Sequence, residues 1–340
     1  MSRIGLAVVG LGPAALPHAK SLLDLSDQAE VRWAASRSRE RAASFAQAFP
    51  FPTTTDIEAA IDDPAVDAVL VLTPPAAHLE VAARCFAAGK HVLVEKPLEL
   101  TVARGERLVE AGRRAGRRLG VTLQHRFRPA SLRLRELVAS GALGPIEAAS
   151  MTVPWWRPQS YYDEPGRGTM ARDGGGVLLT QAIHTLDLFR SLAGVSAVEA
   201  AQATTTGLHR MDTEDYVSAL VRLGNGAPGS ILATTAFVPG HPERIEILAR
   251  RGSASLVGGS LRVCWVDGGE ETVEAEGATG SGANIMDFPH DAHRALISDF
   301  LDAVRTGRDP FVSGEEALAS QRLVEEILRN GQAGPVGTTG

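Results

Sequence analysis

The stretch HVLVEKP, residues 91–97, decides the fold because it joins a strand signal to a charged exit. Residues 91–94 form a short apolar run typical of a buried strand, and an acid, a lysine and a proline follow at once. A buried strand has no structural need for these three residues at its end. In a parallel sheet, however, ligands bind beyond the carboxyl ends of the strands. Lys96, restrained by Pro97, is therefore predicted to point into a ligand cleft.

Residues 4–25 predict the nucleotide-binding part of the same sheet. A short apolar run at residues 4–9 precedes the sequence GLGPAA, residues 10–15, and a helical pattern continues to residue 25. Gly10 permits a tight turn, Gly12 lets the backbone approach a pyrophosphate, and Ala15 allows close packing of the helix on the sheet. The unpaired N–H groups at the start of the helix suit phosphate. The alternative interpretation is a glycine turn of purely structural use.

The end of the second predicted strand, residues 31–35, bears on the choice of cofactor. A dinucleotide fingerprint has an acid there to hold the ribose hydroxyls, but this chain has Ser36 and Arg37 instead. A hydroxyl and a guanidinium suit a 2′-phosphate, so NADP(H) is favoured over NAD(H). The alternative is a solvated arginine-rich turn.

A third predicted strand, residues 67–73, ends at Thr73 and Pro74 in a loop that is expected to pass the nicotinamide end of the cofactor. His78 either contacts the cofactor or caps the helix that begins near it. A helix over residues 101–116 and a strand over residues 120–123 continue the alternation. Alternating strands and helices predict an α/β fold with a doubly wound parallel sheet.

Length, charge and cysteine content limit the classes of protein. The 340 residues predict two domains, with residues 1–123 binding NAD(P) and residues 124–340 binding substrate and forming an oligomer; the last helices are expected to pack back on the first domain or on its neighbour. The net charge of −6 argues against nucleic acid or an acidic membrane as partner, and no run of about 20 apolar residues predicts a membrane span. Cys85 and Cys264 match no metal or redox spacing, so they are interpreted as buried, reduced thiols of a cytoplasmic protein. No metal is expected.

Residues 154–172 concentrate aromatic and arginine side chains in a chain with 5% aromatic residues. Aromatic rings stack on the C–H faces of sugars, and polar side chains bond to hydroxyls. Trp156 and Tyr162 are therefore predicted to line a substrate site, and Arg126 is expected to bind substrate as well. Packing between domains or subunits is the alternative for the tryptophans.

A triple glycine at residues 174–176 precedes a helical pattern over residues 177–189. On one helix, Thr180, Gln181 and His184 share a face, and the glycines are expected to let a ligand approach closely. The three side chains are predicted to bind substrate, with His184 as a catalytic residue. An isolated helical histidine is more often structural, and that interpretation stays open.

Taken together, these motifs resemble the GFO/IDH/MocA family, the glucose–fructose oxidoreductase and inositol dehydrogenase group. The resemblance covers nearly the whole chain and is most specific at residues 91–97. It implies a Rossmann domain, then an α/β domain with a large, open, mostly antiparallel sheet that pairs subunits into a homodimer or homotetramer. It also implies hydride transfer between NAD(P) and a sugar, cyclitol or related polyol. The matching residues are Gly10, Gly12, Ala15, His18, Thr73, Pro74, Pro75, His78, residues 88–97, Gly174, Gly175, Gly176, Gln181, His184, Asp187, Asp299, Phe300 and residues 313–317.

One departure from the family concerns proton transfer. Members commonly have an aspartate where Thr180 stands, and that carboxylate would raise the basicity of the histidine. His184 is still the first choice for the base that takes the hydroxyl proton, with Lys96 balancing charge on the same oxygen. Lys96 or Tyr162 are alternatives as proton carrier, and Glu95 is expected to orient Lys96 or the nicotinamide ribose.

Two other functions remain open on the sequence. The first is a regulatory protein of the same fold that binds nucleotide without turnover, which the missing acid makes conceivable. The presence of both Lys96 and His184 argues against it, because a sensor needs no base. The second is a reductase of a non-sugar substrate such as a dihydrodiol or an imine.

Overall fold

A six-stranded parallel sheet organises the first part of the chain in the computed structural model, which describes residues 3–275 and 289–332. The strand order is β3-β2-β1-β4-β5-β6, so the order reverses beside β1, and ligands bind at such a switch point. Four central positions, Leu6, Val8, Leu70 and Leu93, are almost completely buried. The strands are β1 (Ile4–Val9), β2 (Ala29–Ala35), β3 (Thr53–Thr54), β4 (Ala68–Val71), β5 (His91–Val94) and β6 (Leu119–Val121).

Helices connect these strands and begin at residues that suit helix starts. The side chains of Ser38, Asp56 and Thr101 each accept a hydrogen bond from a backbone N–H of the following turn. Gly116 ends the last of these helices in the left-handed conformation. The helices are α1 (Ala15–Asp24), α2 (Arg39–Ala48), α3 (Ile57–Asp62), α4 (His78–Ala87) and α5 (Val102–Ala115).

Contacts divide the chain into two compact units, each of which contains two segments. The first unit is Met1–Gln124 with His290–Ala319, and the second is His125–Pro289 with Ser320–Gly340. Within the first unit, α11 (Asp291–Thr306) packs on α1, and the Ser21 hydroxyl donates to the carbonyl oxygen of His290. The last helix, α12 (Gly314–Gln332), begins in the first unit.

An eight-stranded, mostly antiparallel sheet organises the second unit, in the order β14-β13-β12-β11-β7-β10-β9-β8. Among its described strands, β7 and β10 are a parallel pair, which makes the sheet mixed. Helices α6 (Pro129–Ala139), α9 (Val177–Thr180) and α10 (Ile183–Ala193) pack on one face. The strands are β7 (Ile146–Pro154), β8 (Val195–Thr204), β9 (Tyr216–Leu223), β10 (Pro228–Thr234), β11 (Arg244–Ala249), β12 (Gly252–Val257), β13 (Ser260–Trp265) and β14 (Glu270–Val273), and two short helices, α7 (Gln159–Tyr162) and α8 (Met170–Asp173), lie between β7 and α9.

The predicted continuous helix over residues 177–189 is wrong, because the structure contains two helices, α9 and α10, with a turn between them. The hydroxyl of Thr180 donates to the carbonyl oxygen of Gly176, which gives the backbone an alternative hydrogen-bond pattern at this point. The N–H of Ala182 then bonds to Val177 five residues back, with a distance of 2.8 Å. As a result, Thr180 and His184 stand on different helices.

Candidate active site

The glycine turn after β1 leaves open space where the sequence predicts a cofactor. Gly10 has a φ of +106°, and a Cβ there would lie 2.6 Å from the carbonyl carbon of Leu72, so only glycine fits. At Gly12, by contrast, a Cβ would have no atom of the described chain within 4 Å. Ala15 then begins α1 and is buried. Because no packing requires a glycine at residue 12, the open backbone there fits the close approach of a pyrophosphate.

The end of β2 presents a hydroxyl and a guanidinium. The Ser36 hydroxyl is buried and accepts a hydrogen bond from the N–H of Ser38 at 3.3 Å. Arg37 is exposed and has no hydrogen-bond or ion-pair partner within residues 3–275 and 289–332. Its positive charge is therefore available to a ligand at this edge of the sheet.

Lys96 follows β5, is half-buried, and is joined to Pro97 by a cis peptide bond. The neighbouring Glu95 carboxylate lies 3.1 Å from Nε2 of His18 on α1. Burial by itself raises the pKa of Glu95, but the hydrogen bond from His18 and the charges of His18, Lys96 and His293 lower it below its usual value. An ionised Glu95 therefore stands directly beside the Lys96 ammonium and ties the exit of β5 to the helix of the glycine turn.

His78 takes neither of the two roles predicted for it. Its ring is completely buried, with Nε2 2.9 Å from the carbonyl oxygen of Thr73 and Nδ1 3.0 Å from that of Pro97. The side chain makes no cap for α4, and its burial leaves no surface for a cofactor contact. Burial also lowers the pKa of His78, against the raising effect of hydrogen bonds to the carbonyl groups of Thr73 and Leu98. His78 instead joins the loop after β4, which carries Thr73 and Pro74, to the loop that carries Lys96.

In the second unit, His184 lies in the first turn of α10 and is buried with its ring stacked on His125, the two centroids being 4.9 Å apart. Gln181 contacts the Thr180 hydroxyl and donates from Nε2 to the hydroxyl of Tyr161 at 3.3 Å. The sequence predicted Thr180, Gln181 and His184 as one group, but the neighbour found for the His184 ring is a second histidine.

The prediction that Arg126 binds substrate is contradicted by its surroundings. Arg126 is buried, and its Nε and Nη2 atoms donate to the two carboxylate oxygens of Asp187 at 2.6 and 2.7 Å. The Ser320 hydroxyl donates to the same carboxylate at 2.6 Å. A guanidinium engaged in a bidentate buried pair holds α10 in place rather than recognising a ligand.

Tyr162 is also placed differently from the prediction. Its ring is buried, and its hydroxyl lies 2.6 Å from the hydroxyl of Thr235. Burial raises the pKa of Tyr162 well above its ordinary value, so the phenol stays protonated and is a poor proton acceptor. Trp156 remains half-buried and stacks on His209, with 5.6 Å between the ring centroids.

Three residues that the sequence did not single out hold the aromatic loop and the triple glycine. The buried ring of His209 lies 2.7 Å from the Asp215 carboxylate and 2.8 Å from the carbonyl oxygen of Arg157. Glu214 accepts from the N–H of Gly176, where a Cβ would lie only 1.9 Å from the Glu214 carbonyl oxygen. A glycine is therefore required at residue 176 by the close approach of the chain at residue 214. No local spacing could have revealed the contacts of His209 with Arg157 and of Glu214 with Gly176, because these residues are 52 and 38 positions apart in the sequence.

The remaining predictions concern the two cysteines, metal binding and membrane-spanning helices. Cys85 is buried, and burial raises its pKa to about 12, whereas Cys264 is partly exposed, contrary to the expectation of two buried thiols. Within the described ranges no cluster of three or more His, Cys, Asp or Glu side chains is arranged to hold a metal ion. The same ranges contain no helix with the length and apolar character that crossing a bilayer requires.

A switch-point sheet, an open glycine turn at Gly12 and a lysine at the exit of β5 define a dinucleotide-binding oxidoreductase. The chain belongs to the GFO/IDH/MocA family. Residues 4–123 match its model for an oxidoreductase family with an NAD-binding Rossmann fold, and residues 131–255 match the GFO/IDH/MocA C-terminal domain. The predictions of this family, of an α/β fold with two such sheets, and of an NAD(P)-dependent enzyme are confirmed.

Three similar proteins show the range within the family. A 1,5-anhydro-D-fructose reductase of Ensifer adhaerens is 30% identical, with 89% of this chain and 90% of that protein covered. The scyllo-inositol 2-dehydrogenase (NADP(+)) IolW of Bacillus subtilis (strain 168) is 27% identical over 98% of this chain and 88% of its own. The crystal structure of the WlbA dehydrogenase from Bordetella pertussis, in complex with NADH and UDP-GlcNAcA, is 28% identical, covers 98% of this chain and 97% of its own, and has a TM-score of 0.82. The relatives thus include both NAD and NADP forms.

Proposed function

We propose that this enzyme transfers a hydride between the nicotinamide of its cofactor and a hydroxyl-bearing carbon of a sugar, cyclitol or related polyol. The observation that carries the proposal is the half-buried Lys96 beside an ionised Glu95 at the exit of β5, in the unit that contains the open glycine turn. The relatives named above are a sugar reductase, a cyclitol dehydrogenase and a dehydrogenase crystallised with a nucleotide sugar, which supports this substrate class.

The proposed reaction needs one residue that accepts a proton and another that stabilises negative charge. The cofactor, when bound, accepts or supplies the hydride, and Gly10, Gly12 and the start of α1 at Ala15 would hold its phosphates. His184 takes the proton of the reacting hydroxyl, because a neutral imidazole can accept it near neutral pH. Lys96 donates a hydrogen bond to that oxygen and stabilises the negative charge that develops on it.

The test of the proposal is a panel of sugars, cyclitols and other polyols assayed with NAD(H) and NADP(H) by the absorbance of the reduced nicotinamide. We expect turnover with at least one polyol or its ketone. Cofactor binding without turnover of any panel member would favour the regulatory alternative. Turnover restricted to dihydrodiols or imines would replace the polyol assignment.

We also propose that the enzyme prefers NADP(H), because the exposed Arg37 and the Ser36 hydroxyl stand where NAD-binding sequences have an acid. Fluorescence titration should give a smaller dissociation constant for NADP(H) than for NAD(H). Arg37→Ala should weaken NADP(H) binding about tenfold and leave NAD(H) binding within about twofold, since an exposed charge-assisted hydrogen bond contributes roughly this much. Arg32→Ala, at an exposed position of β2, is the control, and tighter binding of NAD(H) by the wild type contradicts the preference.

The uncovered face of the eight-stranded sheet supports a homodimer or homotetramer in solution. The face opposite α6 and α10 carries Leu220 and Leu248, which are 58% and 53% exposed. Exposed apolar side chains on a sheet face are typical of subunit contacts. Leu220→Lys combined with Leu248→Lys should reduce the mass measured by light scattering, and an unchanged oligomer, or a monomeric wild type, contradicts this assembly. A cytoplasmic location is part of the proposal and is supported by the free thiols of Cys85 and Cys264.

A further inference from the structure

His125 is the histidine that meets the proposed base, and no motif assigned it a function. Both rings are buried, and they stack with an angle of 27° between their planes. His125 lies in a short 3₁₀ turn, Gln124–Phe127, immediately before α6, whereas His184 lies on α10. Two buried titratable rings in face-to-face contact influence each other's protonation, because two adjacent imidazolium ions repel.

The contacts of His125 determine which form its ring takes. Nη2 of Arg128 lies 2.7 Å from Nε2 of His125. A guanidinium has only donors, so Nε2 must accept this bond and carries no proton. The ring is consequently the neutral tautomer with its proton on Nδ1. Arg128 is fixed in turn by Nη1, which donates to the buried carboxylate of Glu243 at 2.7 Å.

We propose that His125, held neutral by Arg128 and Glu243, is a positioning residue for His184, and that its ring face supplies the stabilisation of the imidazolium that the acid absent at Thr180 would otherwise give. The inference rests on the proposed function of His184 as the base. When His184 accepts a proton, the electron-rich face of the neutral His125 ring stabilises the imidazolium. Because Arg128 occupies Nε2, His125 does not compete for that proton.

The other charged groups near this stack are engaged with partners of their own or face solvent. They belong to α10 and to the elements packed on it, α6, α9, β7 and β11, of which α9 carries no charged side chain. Asp187 pairs with Arg126, Arg190 donates to Ser320, Arg133 pairs with Glu136 and Glu271, Glu147 with Arg250, and Glu246 with Arg244, while Arg135 is exposed. Arg128, by contrast, hydrogen-bonds directly to one ring of the stack.

The first experiment separates stacking from general structural damage. His125→Ala should lower kcat about tenfold with the substrate KM within about twofold, because the ring acts on the protonated base and not on the substrate. His125→Phe keeps an aromatic face and should recover most of that loss. Equal kcat for His125→Ala and the wild type, or no difference between the two variants, overturns the proposal.

The second experiment measures kcat/KM as a function of pH and compares the acid limb of the profile between variants. Arg128→Met removes a cation that disfavours protonation of the pair and frees Nε2 of His125, so the limb should move to higher pH by about one unit. Arg133→Met is the matched control, because Arg133 lies on α6 and its ion pairs with Glu136 and Glu271 do not involve the stack. Superimposed profiles for Arg128→Met and the wild type contradict the proposal.

The third measurement does not depend on turnover and keeps the inference separate from the proposed function. Nitrogen-15 spectra of histidine-labelled wild type, assigned with His125→Phe, should show a neutral ring protonated on Nδ1 from about pH 5 to about pH 8. In Arg128→Met the same signals should titrate. If His125 titrates in the wild type, the proposal fails, even if a polyol substrate has been found. If the His125 tautomer is fixed but no substrate reacts, the proposed function of His184 as the base is rejected, and the assignment of the His125 tautomer stands.

Discussion

At the scale of single residues, the site depends on what each side chain can still offer after the chain has folded. Arg126 and Tyr162 have the chemical character of substrate ligands, yet both are buried against other groups of the second unit. Arg37 and Lys96 keep accessible surface. Exposure to solvent therefore distinguishes Arg37 and Lys96 from the buried Arg126 and Tyr162.

Lys96 can be tested by removing its charge while keeping its length. Lys96→Met should lower kcat by about 10²–10³-fold, since loss of one donor to a developing oxyanion has this size of effect, and should leave the cofactor dissociation constant within about twofold. Lys20→Met, at an exposed position of α1, is the control and should change neither quantity. Steady-state kinetics and fluorescence titration provide the measurements. Retained turnover in Lys96→Met rejects the catalytic role.

Alanine substitutions at the two glycines of the turn should have different effects, one on cofactor binding and the other on stability. Gly12→Ala meets no atom and should change the free energy of unfolding by less than about 1 kcal/mol, but its methyl group should weaken cofactor binding about tenfold. Gly10→Ala meets backbone and has a positive φ, so it should destabilise by more than about 2 kcal/mol. Urea unfolding and cofactor titration of both variants check this. Undiminished cofactor affinity in Gly12→Ala would falsify the placement of the pyrophosphate.

At the scale of elements, α10 is held by contacts that reach far along the chain. The buried pair of Arg126 and Asp187 joins the 3₁₀ turn before α6 to α10, and Ser320 on α12 adds a third bond. The turn between α9 and α10 places Thr180 and His184 on different helices, whereas a continuous helix would have put them on one face. The position of the proposed base therefore depends on pairs between elements and not on one helix.

The buried pair predicts a strong and specific effect on stability. Asp187→Ala leaves the Arg126 charge buried without its partner and should lower the free energy of unfolding by about 3–5 kcal/mol. The double change Arg126→Met with Asp187→Leu removes both charges and should recover most of the loss. Urea unfolding curves of the three proteins measure this. If Arg126→Met instead mainly raised the substrate KM without loss of stability, the original substrate-binding prediction would be restored.

At the scale of the whole molecule, the two ends of the parallel strands have different tasks. The carboxyl ends carry the glycine turn and Lys96, whereas the opposite ends carry Lys90, His91 and Asp67 in structural bonds. Lys90 is buried with its ammonium on the carbonyl oxygens of Asp63 and Val66. Stability and chemistry are thereby assigned to separate edges of one sheet.

His91 gives the stability of the molecule a defined dependence on pH. Burial, with the charges of Arg117 and Arg118, lowers its pKa from 6.5 to about 4. The unfolded chain binds a proton that the folded chain rejects, so stability is complete above about pH 6.5 and is lost as the pH falls towards about pH 4. Because the ring is half exposed, the effect should be about 1–2 kcal/mol after solvent screening.

The measurement is the urea midpoint between about pH 4 and about pH 7 for wild type and His91→Asn. Asparagine can still accept the hydrogen bond from the N–H of Arg118 but does not titrate. The urea midpoint of His91→Asn should therefore change less with pH than that of the wild type. His241→Asn, at an exposed position, is the control. Equal slopes for the wild type and His91→Asn would show that other groups cause the acid sensitivity.

The sequence by itself determined the features that depend on neighbouring residues. The apolar runs, the turn at Gly10 and the strand exit at Lys96 predicted the parallel sheet and its ligand edge, because glycine permits a positive φ and proline fixes φ, and both effects are local. The resemblance to the GFO/IDH/MocA family likewise implied the second, mostly antiparallel sheet.

Only the tertiary structure decided which polar groups meet. Arg126 and Asp187 are 61 residues apart, and Glu95 and His18 are 77 residues apart. Such pairs follow from the packing of whole elements, which no local period encodes, and this is why Arg126 was mistaken for a substrate ligand. The stack of His125 on His184 belongs to the same class, because only the folded chain brings a turn before α6 against the start of α10.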